Sequence, residues 1–145
     1  MGVAEDGLQW REHQRRAVWA HARADAAQRA AEQAEAAGLV ARFAAEATRL
    51  GLRTDRITAV SYDGRARYRT RLVGWYVDRA RSRAVDVRGR FYLLTVPAGL
   101  RPRLFGAHPE PSPPPLVVGR GGRDGESWPL AALLSRRLAA GDGWD

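Results

Sequence analysis

Two alternating runs flank Asp63-Gly64: Ile57-Thr58-Ala59-Val60-Ser61-Tyr62 before it and Arg65-Ala66-Arg67-Tyr68-Arg69-Thr70-Arg71-Leu72 after it. Alternation is the period of a strand, whose successive side chains point to opposite faces. Asp-Gly is a pair that supplies positive φ for a tight hairpin turn. The stretch therefore reads as a β-hairpin with a two-residue turn, its return strand running over residues 65–77. A turn at residues 78–82, a short strand at 83–87, a turn at Arg88-Gly89 and a strand at 90–96 extend it into an antiparallel meander of about four strands. In the last of these Phe91 and Leu93 alternate with Tyr92, Leu94 and Val96. Both faces are then apolar, as in a central, covered strand.

Working outward towards the N-terminus, residues 8–36 hold many Ala, no Pro and no Gly, the composition of a long helix. Glu12 with Arg16 and Asp25 with Arg29 are acid-first i,i+4 pairs that support it. Gly38 is expected to break or kink this helix, and Leu39, Val40, Phe43, Ala47 and Leu50 recur at helical spacing in a second one. Gly51 stands where a left-handed C-terminal cap belongs, with Leu52 behind it. The expected organisation is an N-terminal Ala-rich helix over residues 1–37, for assembly or partner docking, and an α+β domain over residues 38–145.

Beyond the meander Pro97 ends the sheet, and Pro109, Pro111, Pro113, Pro114 and Pro115 make an extended linker over residues 109–115. Residues 116–118 suit an edge strand. Ser127 is the expected N-cap of a last helix, with Pro129 in its first turn, Leu130, Leu133, Leu134 and Leu138 on one face, and Gly141 closing it. The fold class is α+β: long N-terminal helical segment, antiparallel meander, C-terminal helix. Phe43, Leu50, Phe91, Leu93, Leu94, Leu133 and Leu134 are the expected core.

The chain of 145 residues has no Cys, so disulfides and thiolate chemistry are excluded. His13 and His21 lie eight residues apart on a helix, about 12 Å along its axis, too far to share a metal, and His108 stands beside the Pro-rich stretch. No metal and no cofactor are expected, and no catalytic residue emerges. Residues 1–6 carry no secretory pattern and no apolar run approaches the ~20 residues of a membrane span. A cytoplasmic protein without membrane contact is the expectation.

Charge carries the functional reading. All 24 basic residues are Arg and the net charge is +8. Residues 53–103 hold thirteen Arg against four acids, while the flanking segments are close to neutral. Arg65, Arg67, Arg69 and Arg71, two apart on one strand, project from one face about 6.6–6.8 Å apart. Arg79, Arg81, Arg83, Arg88 and Arg90 widen this ridge. Guanidinium forks bind phosphate oxygens bidentately, and Tyr62 or Trp75 is positioned to stack on a base. A second anion site is expected at Arg120, Gly121, Gly122 and Arg123, in a loop before a helix. That loop fits neither phosphate-loop pattern, since Asp124 and Glu126 stand where Gly and Lys belong.

Three functions follow in order. First is a binding protein that docks its Arg-rich sheet on nucleic acid or another polyanion, homo-oligomeric through its N-terminal helix. Second is a protein–protein adaptor or assembly subunit, using the Ala-rich helix and Pro-rich segment and meeting an acidic protein surface. The order helix, helix, antiparallel strands, helix is also loosely similar to small messenger-RNA-cleaving toxins of toxin–antitoxin pairs. That similarity lies in element order and composition alone, and an RNA-cleaving enzyme ranks third.

Overall fold

A computed structural model describes residues 2–119 and 127–144. Helix α1 runs without interruption over Val3–Arg49, about 70 Å at 1.5 Å per residue. The expected break at Gly38 is absent. One Gly costs a helix only about 1 kcal/mol relative to Ala, and Ala36, Val40, Phe43, Ala44 and Ala47 on either side of it are buried against the rest of the protein. Nothing lies within 4 Å of a Cβ placed on Gly38. Gly38→Ala is therefore expected to raise stability by about 0.5–1 kcal/mol in urea unfolding; a loss instead would show a distortion of the helix there. Before Ala36 every described residue of α1 is exposed.

The end of α1 is local chemistry. Gly51 adopts φ +68°, its N–H bonds to Thr48 O at 3.0 Å, and Leu52 N–H reaches Ala47 O at 2.9 Å, the paired bonds of a Schellman cap. Leu52 thereby turns back into the core, at 8% exposure, and Leu50 is left 52% exposed. Leu50 is thus not a core residue.

Strands β1 (Asp55–Ser61), β2 (Arg67–Tyr76), β3 (Arg83–Asp86) and β4 (Phe91–Leu93) form the antiparallel meander. Strand β5 (Thr95–Val96) pairs with β1 in parallel, so the sheet is mixed, in the order β4-β3-β2-β1-β5. Strands β4 and β5 are the two ends of that order, yet Leu94 alone separates them in the chain. The sheet must curl until its ends meet. Leu94 joins them, its N–H donating to Ser82 O at 2.9 Å and its carbonyl accepting from Val60 N–H at 2.8 Å. The last strand, expected to be central and covered on both faces, stands instead at one end of the order, with Phe91 and Tyr92 buried on its two faces.

Two neighbouring cross-strand rows face opposite ways. Trp75, Val85 and Phe91 lie in one row, against α1 and helix α3 (Leu130–Ala140); Tyr76, Ala84 and Tyr92 lie in the other, packed with Ile57 and Leu94. Leu93, expected in the core, is 49% exposed, paired with Arg83 where neither helix covers it. Leu134 is buried, and Leu133 packs on the core while partly buried.

Between β5 and the Pro-rich stretch lies an unforeseen short helix, α2 (Leu100–Phe105). The stretch itself runs beside β4, where Ser112 N–H donates to Phe91 O at 2.8 Å, covering an open strand edge. Strands β6 (Val117–Gly119) and β7 (Ser127–Pro129) make a separate antiparallel pair. Ser127 is therefore a strand residue and not an N-cap, and Pro129 precedes α3 directly. No helix among the described residues is long and apolar enough to cross a membrane.

Candidate nucleic-acid interface

The hairpin loop is wider than two residues. Ser61 N–H bonds to Ala66 O at 2.9 Å, leaving residues 62–65 outside the ladder. Asp63 holds the loop: its Oδ1 accepts from Ser61 Oγ at 2.6 Å and from Arg65 N–H at 3.0 Å. These bonds keep its carboxyl below the usual Asp range. Gly64 takes φ +74°. Tyr62, 71% exposed, and Arg65 occupy this tip, so Arg65 does not sit on β2 with the other three.

On the strands the register sorts the side chains. Ala59 pairs with Tyr68, both buried, while Thr58 pairs with Arg69 and Val60 with Arg67 on the outer face. Arg67 Nη1 donates to Thr58 Oγ1 at 3.2 Å. Two residues back along β1, Arg56 shares this face. The register then slips: Ile57 alone stands opposite Thr70, Arg71 and Leu72. Thr70 Oγ1 bridges the gap, donating to Ile57 O at 2.5 Å and accepting from Leu72 N–H at 3.1 Å. Arg71 is exposed in this bulge.

The exposed cations form a track along two hollows that share Arg56 and Thr58. The larger, about 440 Å³, is also lined by Arg53, Arg67, Arg81 and Arg137, against the carboxylates Asp55 and Asp142. Asp142 is engaged there, accepting from Arg53 N–H at 2.7 Å. The smaller, about 280 Å³, adds Arg69, Arg71, Phe105 and His108. Among the described residues Arg53, Arg56, Arg65, Arg67, Arg69 and Arg71 form no ion pair. Arg137 is different: 4% exposed, it donates Nε to Tyr76 O at 2.8 Å and Nη1 to Gly141 O at 3.0 Å, and stacks 4.5 Å from the Trp144 ring centre. It fastens the end of α3 to β2.

Of the remaining expected members Arg81 lines the larger hollow, and most of the others lie elsewhere. Trp75 is 1% exposed, its Nε1–H bonded to Leu52 O at 3.1 Å and its ring edge-on to Phe43 at 5.8 Å. A ring sealed in the core cannot stack on a base. Arg83 pairs with Asp78 at 3.0 Å and reaches Gly119 O at 3.1 Å. Arg90 pairs with Asp86 at 2.9 Å, which holds its guanidinium protonated above the usual range. Asp86 also accepts from Arg88 N–H at 3.0 Å and Tyr92 Oη at 3.0 Å; burial, and then this bond, pushes the Tyr92 phenol up. The turn holding Arg88 and Gly89 abuts α1, Gly89 lying against Ala41. Arg88 and Arg90 therefore do not widen the track. Arg81, at φ +55°, lies 5.4 Å over the Tyr76 ring, and Arg79 is exposed in the same turn. The second anion site, Arg120, Gly121, Gly122 and Arg123, lies outside the described residues.

No family model, curated protein or solved structure matches this chain.

Arg53, Arg56 and Phe105 line the hollows without having been read from the sequence. For Arg56 the signal was present, since it continues the alternation of Thr58 and Val60. For Phe105 it was Leu100 and Leu104 at i,i+4 spacing, with Pro102 early enough for a short helix.

Proposed function

We propose that the chain is a binding protein that holds nucleic acid or a similar polyanion on the outer face of the β1–β2 hairpin. One observation carries this reading: Arg56, Arg67, Arg69 and Arg71 are exposed along one track without carboxylate partners among the described residues, whereas Arg83 and Arg90 elsewhere are each tied to an Asp. Unneutralised guanidiniums repel one another and gain by meeting phosphate oxygens. Such contacts fix a backbone without reading its sequence. The direct test is fluorescence anisotropy with labelled oligonucleotides of about twelve nucleotides, inside the ~4–16 range of comparable modules. Binding that shows little sequence preference is expected; absence of binding at low salt would refute the reading.

A second reading, an adaptor or assembly subunit, is favoured by the N-terminal part of α1. Leu8, Trp10, Val18 and Trp19 are 61–67% exposed there, on a helix with no buried residue before Ala36. Deleting residues 2–33 is expected to shift stability by less than about 0.5 kcal/mol, as for exposed surface generally, and to lower the number of chains per particle found by light scattering. Loss of the cooperative thermal transition would make this segment part of the core. An unchanged number of chains per particle would end the assembly reading.

A further inference from the structure

We infer that the ligand of the Arg track is single-stranded nucleic acid, with Phe105 as the platform for an unpaired base. This rests on the polyanion reading and adds a ligand class to it.

Phe105 ends α2 and is 74% exposed, an aromatic ring left in water beside a strand of cations. Its position is fixed by backbone contacts. Gly106, at φ +80°, lies so close to β2 that a Cβ there would fall 2.8 Å from Arg69 O. The next residue, Ala107, donates its N–H to that same carbonyl at 2.8 Å and is buried against Ala59 and Tyr68. The chain after Phe105 is thus pinned to the backbone of Arg69. The ring, Arg69 and Arg71 then line one hollow of about 280 Å³, room for about nine waters at ~30 Å³ each.

This combination selects among polyanions. A duplex buries its base faces in the stack and offers a protein surface mainly phosphates and groove edges. An unpaired strand offers both phosphates and π-faces, and exposed rings beside guanidiniums bind it with little regard to sequence. Tyr62, at the hairpin tip beside Arg65, is placed to serve as a second ring at the other end of the track. An acidic protein surface would use the cations and leave the ring without a role.

The test compares four labelled probes by anisotropy: an oligothymidine, an abasic oligonucleotide of equal length, a duplex with the same number of phosphates, and inorganic polyphosphate. The oligothymidine is expected to bind roughly five- to hundred-fold tighter than the abasic strand. Phe105→Ala should cut that preference several-fold, Tyr62 supplying what is left, while leaving polyphosphate binding and the melting temperature unchanged, and Phe105→Tyr should preserve it. Equal affinity for oligothymidine and abasic strand, or full binding by Phe105→Ala, would overturn the inference and leave the polyanion reading standing. Failure to bind any probe, polyphosphate included, would instead refute the polyanion reading itself. Preference for the duplex would likewise overturn the single-strand assignment.

Discussion

Truncating Trp75 to alanine is expected to destabilise the protein by about 3–5 kcal/mol, the usual cost of removing a large aromatic from a core. Three losses combine at that position. The ring is 1% exposed, it meets Phe43 edge-on, and its Nε1–H satisfies the carbonyl of Leu52, just beyond the cap of α1. Removing it opens a cavity between α1 and the sheet and orphans that carbonyl. Trp75→Phe keeps most of the apolar volume and loses the hydrogen bond, so a smaller cost of about 1–2 kcal/mol is expected. In thermal unfolding the alanine variant should melt on the order of 10 °C lower. Tyr62→Ala at the exposed hairpin tip should change stability by less than about 0.5 kcal/mol. A Trp75→Ala protein as stable as the parent would contradict the buried placement of the ring.

The second large effect is on binding. Replacing Arg56, Arg67, Arg69 and Arg71 together by Gln removes four exposed cations from one track. If each contacts a phosphate of a single strand, each contributes about 0.7 to the salt exponent, and four amount to several hundred-fold, on the order of 10^2.8, in affinity near 0.1 M salt. The fold should survive. Arg56, Arg69 and Arg71 make no hydrogen bond through their side chains among the described residues, and Arg67 makes one exposed bond to Thr58. Replacing Arg83 and Arg90 instead should behave in the opposite way. Both are tied to Asp78 and Asp86, so their loss should cost stability before it costs binding.

What could be read from the sequence was what local chemistry decides. The hairpin about Asp63-Gly64 follows from alternation and from a turn pair whose conformation is intrinsic. The cap at Gly51 and Leu52 follows from a need that every helix end has. Gly38 misled because its cost of about 1 kcal/mol is smaller than the stabilisation from burying Val40, Phe43 and Ala47 on the same helix. Sheet closure was hidden for another reason: the bonds of Leu94 to Ser82 and Val60 join segments far apart in the chain, and alternation within residues 91–96 does not say which strands they meet.

The site was half legible on the same grounds. Period-two spacing put Arg67 and Arg69 on one outer face, as the register has them. Spacing alone gave no hint of the bulge at Thr70, nor that Arg65 stays in the loop. It also could not tell a ring in the core from one at the surface: Trp75 is buried, and Phe105 is the ring left exposed beside Arg69 and Arg71. Nor could it see which cations have carboxylate partners, because Asp78 and Asp86 reach Arg83 and Arg90 only after the turns beside β3 have formed.

Whether the unneutralised Arg track meets phosphates shows in the salt dependence of binding. The measurement is the affinity for a labelled oligonucleotide between roughly 50 mM and 200 mM salt, the range over which phosphate contacts weaken steeply. A log–log slope of about −3 is expected for the parent with a single-stranded oligonucleotide, falling close to zero in the variant with Gln at positions 56, 67, 69 and 71. Binding that is insensitive to salt, or a variant that keeps the parent's slope, would show that the Arg track does not meet phosphates.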